Sequence, residues 1–159
     1  MEMKPSVYLE TTILSYLVAR PSRDLIVAGH QQLTQEWWEK RRSHFTCYVS
    51  QAVLDEAGRG DPREVRKRQA IMNTLSLLEV DDEVSDLAEE FLRQRILPTK
   101  AAQDAVHIAV AAVNGLDFLL TWNCAHIANA RIEGQISALC RKMGLQPPVI
   151  CTPEQLMIG

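Results

Sequence analysis

Residues 7–17 read VYLETTILSYL. An apolar run, Val7-Tyr8-Leu9, stops on a carboxylate, Glu10. Two threonines follow, Thr11 and Thr12, and the apolar pattern then resumes. Val7–Leu9 reads as a strand and Thr12–Val18 as a short helix. Glu10 therefore stands at the corner between them, a place where a buried strand end has no evident use for a charge.

Outward from that corner, short apolar strands alternate with longer amphipathic helices. Asp24–Arg42 carries a helical pattern with Leu25, Ile26, Leu33 and Trp37 facing inward. Phe45–Val49 is a second strand, rich in aromatic and β-branched residues. Ser50 is placed to cap a helix that runs to Ala57 and ends at Gly58. Asp61-Pro62-Arg63-Glu64 combines a capping Asp, Pro at the first helical position and Glu three residues after the cap, which predicts a helix to about Thr74.

Leu77–Val80 reads as a short strand and Glu83–Gln94 as a helix. A helix from about Lys100 to Asn114 follows Pro98, and Gly115 stops it. Phe118–Thr121 is a strand, Ala125–Met143 mostly helix, Val149–Cys151 a last strand, and Thr152-Pro153-Glu154-Gln155 a capped final turn. This alternation predicts an α/β fold with a mostly parallel sheet, in one domain over residues 1–159.

The composition sets few restrictions. The chain has 159 residues, 47% apolar and 23% charged, which is ordinary for a globular protein. No apolar run approaches the ~20 residues of a membrane span. The start lacks a charged-then-apolar signal pattern, which points to the cytosol. Cys47, Cys124, Cys140 and Cys151 form no CxxC pair and no zinc-finger spacing, so they read as reduced, mostly buried thiols. A net charge of −3 gives no global attraction to nucleic acid. Local basic groups exist: Lys40, Arg41 and Arg42, and Arg59, Arg63, Arg66, Lys67 and Arg68. Both also read as solvated helix faces.

Chemistry is carried by four positions. In parallel sheets, sites form outside the carboxyl ends of the strands. Glu10 sits at such an end, and Asn123 lies just past the strand DFLLT. Glu56, on the helix leaving the second strand, shares a side with Ala52 and Val53, where a carboxylate is costly without a partner. Arg59 at i+3 is one such partner. Asp104 opens the Ala-rich helix TKAAQDAVHIAVAAVNG, where compensation of the helix dipole is an alternative role. His107 shares its face at i+3 and reads as a hydrogen-bonded packing residue. Asn123, with Trp122, His126 and Asn129 around it, also suits a turn or cap. Taken together, Glu10, Glu56, Asp104 and Asn123 would meet at one rim. Three close carboxylates raise one another's pKa values unless a cation neutralises them, and hard oxygen ligands suit Mg²⁺ or Mn²⁺.

The motifs YLETTILSYL, VSQAVLDEAGRGDP, AAQDAVHIAVAA, LLTWNCAHIAN and TPEQL, in this order over nearly the whole chain, resemble the PIN domain family, and within it the VapC-type ribonuclease toxins. The resemblance implies a three-layer α/β/α sandwich and a metal-dependent endoribonuclease that acts on RNA, forms a homodimer and is inhibited by a cognate antitoxin. It matches the family's acids to Glu10, Glu56 and Asp104, with Mg²⁺ (or Mn²⁺) held chiefly by Glu10 and Asp104. Glu56 would ligate directly or through water, or position the nucleophile. Thr12 and Asn123 would orient water or phosphate. The chain departs from the pattern twice: Glu10 replaces the commoner Asp, and a neutral amide, Asn123, replaces a fourth acid. Those departures leave open a catalytically weak PIN fold acting as an RNA- or protein-binding module. An aspartyl phosphatase would need a DxD motif after the first strand, and LETT has none. Dimer formation adds one expectation: of the adjacent Trp37 and Trp38, one lies at an interface.

Overall fold

The computed structural model describes residues 3–157. Five strands form its sheet: β1 (Ser6–Leu9), β2 (Thr46–Ser50), β3 (Ser76–Leu78), β4 (Phe118–Leu120) and β5 (Val149–Cys151). Every pairing is parallel, in the order β3-β2-β1-β4-β5. β1 is therefore central, and three of its four residues are buried. Strands so enclosed read as continuous apolar runs, which is why Val7-Tyr8-Leu9 is legible.

Seven helices connect the strands: α1 (Thr11–Val18), α2 (Leu25–Lys40), α3 (Gln51–Ala57), α4 (Pro62–Met72), α5 (Asp82–Arg93), α6 (Ala102–Val113) and α7 (Ala130–Lys142). The chain first steps from β1 outward to β2 and β3, then crosses to β4 and β5 on the other side. Right-handed crossovers put the helices of the two runs on opposite faces, giving three layers. The packing follows: α1 lies against α2, α3 and α4, and α5 against α6. The reversal of direction falls between β1 and β4, so the crevice beyond their carboxyl ends is the topological switch point.

The local signals explain most element ends. Asp24 accepts the Ile26 and Val27 amides, Asp61 the Arg63 amide and Asp81 the Val84 amide. Gly115 adopts φ +63°, the left-handed conformation that ends α6. The final turn, Pro153–Leu156, carries a complete capping box between Thr152 and Gln155.

Several expectations need correction. Leu25 and Ile26 are 88% and 72% exposed, and the buried face of α2 is Gln31, Thr34 and Trp37. Leu25 lies about 120° around the helix from Trp37. Ile26 is nearer Trp37's side, but residues 23–26 are all exposed, so nothing covers that first turn. Gln31 is buried because it ties down the preceding loop, accepting the Ser22 amide at 2.9 Å and donating to the Arg20 carbonyl at 3.3 Å. Ser50 makes no side-chain cap to α3, since its hydroxyl meets Tyr8 at 2.7 Å. Glu64 faces Arg68 at 3.7 Å rather than the capping position. α7 begins at Ala130 with Asn129 as its cap, and the residues expected as its first turns form a loop instead. Arg68 leaves the basic group: it is 6% exposed and donates to the Ala57 and Arg59 carbonyls at 3.0 and 2.7 Å. Trp37 is buried, while Trp38 is half-buried under the Arg42 guanidinium, 4.0 Å from its ring. Among the thiols Cys124 is exposed, and burial pushes Cys47 up to about 11 and Cys151 up to about 12. No described helix is long and apolar enough to cross a membrane.

Candidate active site

The crevice at the switch point begins with Glu10. Its amide donates to the Leu120 carbonyl at 3.1 Å, locking it beside the end of β4. Its carboxylate accepts the Thr12 amide at 3.2 Å, so Glu10 is the N-cap of α1. This cap partly answers why a charge ends the strand: the helix start offers it an amide and a favourable dipole. The carboxylate's other partners are two hydroxyls on Oε1, Thr12 at 2.6 Å and Thr121 at 2.5 Å. Glu10 is only 3% exposed. Among the described residues no Lys, Arg or His side chain comes within salt-bridge distance of it. A buried carboxylate held by neutral donors alone is incompletely compensated.

Thr121 is the residue that sequence reading missed. It is fully buried, and its hydroxyl donates to Glu10 while accepting the Asn123 amide at 2.9 Å. Its place at the carboxyl end of β4 was the available signal, and a buried Thr there reads as strand filler unless its partners are known. Asn123 then donates its Nδ2 to Asp104 at 3.0 Å and accepts the His126 amide at 3.1 Å. Thr12 closes the other side: its hydroxyl donates to Glu10 and accepts the Trp122 amide at 2.9 Å. Glu10, Thr12, Thr121, Asn123 and Asp104 thus form one hydrogen-bonded set across β1, α1, the β4 end and α6.

Asp104 is half-buried and faces His126, with Nδ1 3.1 Å from its second oxygen. Its place in the first turn of α6 satisfies the helix dipole as well. Glu56 reaches the same region from α3, where α3 meets α6. Thr11, next to Glu10 in the chain, donates to Glu56 at 3.1 Å. The main partner of Glu56 is not Arg59, which acts on it only through its charge, but Nε2 of the fully buried His107. Burial alone would raise the Glu56 pKa, but the His107 contact, the Thr11 hydrogen bond and the Arg59 charge outweigh it and hold the carboxyl below its ordinary range. For Glu56 that direction is opposite to a rise from mutual repulsion, because its own donors outweigh burial.

A cavity of about 230 Å³ opens beside Glu56, lined by Gln51, Arg59, Val80, Gln103 and Val106 among others. A larger hollow of about 650 Å³ between α7 and β5 contains none of these acids. The carboxylate oxygens of Glu10 and Asp104 are donors of the hard type that Mg²⁺ and Mn²⁺ take. The third expected ligand, Glu56, is engaged by His107, and among the described residues no three Asp, Glu, His or Cys side chains gather at cation-binding distance.

No family model matches the chain, and no curated protein sequence matches it. Its fold does match solved structures. VapC20 of Mycobacterium tuberculosis, a sarcin-ricin loop cleaving toxin, superposes with TM-score 0.61 at 16% identity, over 76% of this chain and 92% of that one. A chain of a toxin–antitoxin complex from Klebsiella pneumoniae gives 0.59 at 14% identity, covering 93% and 98%. VapBC2 from Rickettsia felis, bound to a DNA fragment from its promoter, gives 0.60 at 14% identity, covering 92% and 97%. The expected three-layer PIN-like fold of the VapC type is the fold of this chain.

Proposed function

We propose that this PIN-like chain is a metal-dependent endoribonuclease, the toxin of a toxin–antitoxin pair, hydrolysing RNA phosphodiester bonds in the cytosol as a homodimer held in check by a cognate antitoxin. One observation carries the reading: a 3% exposed Glu10 carboxylate, held by hydroxyls and one amide, stands at the switch point of the sheet and is linked through Thr121 and Asn123 to a second carboxylate, Asp104. The likeness to structures of VapC toxins and their complexes supports the same activity and partner.

Glu10 and Asp104 would hold Mg²⁺ or Mn²⁺, with Glu56 as the third acid of the site. When bound, the cation supplies Lewis acidity and neutralises charge at an attacked phosphodiester. The rest falls to side chains of the chain itself. Thr12 and Thr121 fix the Glu10 carboxylate, and Asn123 fixes Asp104, so both acids are set before substrate arrives. Glu56, with one oxygen turned to Thr11 and His107, has a second oxygen that can accept a proton from water. Exposed Arg59, Arg63, Arg66 and Lys67 supply charge for an RNA backbone near Glu56.

Asp104→Asn tests the reading. RNA cleavage in Mn²⁺ should fall by several orders of magnitude, roughly the loss expected when a cation that supplies both nucleophile and charge stabilisation is no longer held. The unfolding midpoint in chelator should fall by only a few degrees, because the amide keeps the Asn123 contact and loses the charged one to His126, about 1–2 kcal/mol. Preserved cleavage would refute the assignment.

A second reading is a PIN fold that binds RNA or protein without cutting. It is favoured by the histidines already facing Glu56 and Asp104. Wild-type chain that retains RNA intact in Mn²⁺ would establish it.

A further inference from the structure

Behind Glu56 runs a chain of buried polar groups that nucleic-acid chemistry alone does not call for. His107, Tyr8 and Ser50 are all 0% exposed. Ser50 Oγ lies 2.7 Å from the Tyr8 hydroxyl, and that hydroxyl lies 2.6 Å from His107 Nδ1. His107 Nε2 in turn meets the Glu56 carboxylate. Buried polar groups persist when each is satisfied, and a connected network fixes geometry that no single bond would.

The donors have a direction. A carboxylate only accepts, so His107 Nε2 carries a proton toward Glu56. The Tyr8 phenol keeps its O–H at neutral pH, as phenols do. With Nδ1 as the acceptor, Tyr8 donates to it and Ser50 donates to Tyr8, and every group in the chain is paired. The network spans β2, β1, α6 and α3, and residues 51 and 99 positions apart in sequence meet in it. Four elements thus converge on the orientation of one carboxylate. Of the three acids, Glu56 is the one whose carboxylate is held by a fully buried histidine.

Building on the ribonuclease reading, we infer that His107 is a positioning residue which, backed by Tyr8 and Ser50, holds Glu56 toward water and substrate and away from the cation. Glu10 and Asp104 then bind the metal without Glu56. A group that orients a reacting residue from behind acts on turnover more than on binding, and its loss typically costs about 10–100-fold.

The test compares His107→Gln, His107→Leu, Glu56→Gln and Asp104→Asn by calorimetric titration with Mn²⁺ and by kcat and KM on an RNA oligonucleotide. The Gln amide can donate to Glu56 and accept from Tyr8, and Leu can do neither. The expected result is Mn²⁺ affinity within about threefold of wild type in both His107 variants and in Glu56→Gln, against a large loss in Asp104→Asn. His107→Leu should lower kcat about 10–100-fold with KM within about threefold, and His107→Gln should recover much of that loss. Mn²⁺ affinity that falls in Glu56→Gln as far as in Asp104→Asn overturns the inference, because Glu56 is then a ligand. Equal kcat in the Gln and Leu variants overturns it too, because His107 then only fills space. If His107→Leu does not fold, Glu56→Gln and His107→Gln still decide through Mn²⁺ affinity. Wild type that binds Mn²⁺ but leaves RNA uncut refutes the ribonuclease reading, and the affinity comparison then decides this inference by itself. Wild type that binds no Mn²⁺ overturns both.

Discussion

Replacing Thr121 by Val keeps the shape of a fully buried side chain and removes one hydroxyl. That hydroxyl serves two partners, donating to Glu10 at 2.5 Å and accepting the Asn123 amide at 2.9 Å. A hydrogen bond to a charged group contributes about 1.5–3 kcal/mol, and a buried amide left without a partner costs about 1–3 kcal/mol. Asn123 is only half-buried, so water relieves part of the second cost. The loss should therefore be about 3 kcal/mol, with little cavity contribution because the methyl fills the space. For a chain of this length that corresponds to a melting midpoint lower by about 6–12 °C. The assay is urea unfolding in chelator, with Thr121→Ser as control. Serine keeps the hydroxyl and loses one buried methyl, about 0.8 kcal/mol. A double-mutant cycle with Glu10→Gln should show coupling of about 0.5–3 kcal/mol, as for residues in one network. A Thr121→Val loss below about 1 kcal/mol, or no coupling to Glu10, would refute the claim that this hydroxyl ties the two strand ends together.

Arg68→Met should destabilise by about 2–4 kcal/mol, because the aliphatic stem is replaced but the Ala57 and Arg59 carbonyls lose their donors; an unchanged urea midpoint would count against a structural role and return Arg68 to the RNA-facing group. Leu25→Gln with Ile26→Gln should change stability by no more than about 0.5 kcal/mol each, since both side chains are exposed. If sedimentation shows the wild type as a dimer and this double variant as a monomer, the first turn of α2 belongs to the interface; a dimer in both places the interface elsewhere.

Much of this fold is written in local chemistry. A strand that is buried on both faces must be apolar for a few residues, and Val7-Tyr8-Leu9 is so. Helix ends depend on groups two or three residues away, so Asp24, Asp61 and Gly115 mark them directly. The candidate positions were legible for a related reason: the carboxyl end of a parallel strand is fixed by the strand itself, and the carboxylate Glu10 and the amide Asn123 stand there. Where local rules failed, a distant partner had won. Ser50 has the residue type and position of a cap, yet its hydroxyl bonds Tyr8, 42 positions away. Leu25 and Ile26 fit a helical stripe, but whether a stripe is covered depends on what lies beneath it.

The sequence alone determined the α/β alternation and the residues that the sheet's carboxyl end would present, because both follow from periodicity and from bonds spanning a turn of helix or one strand. Only the tertiary structure decided what those residues do to one another. It joined Glu10 to Thr121 across 111 positions, gave Asp104 to His126 and Asn123, and turned Glu56 to His107, 51 positions away, rather than to its sequence neighbour Arg59. The physical reason is that a carboxylate's partners are set by which donors the packed layers bring within about 3 Å, and that distance carries no signature along the chain.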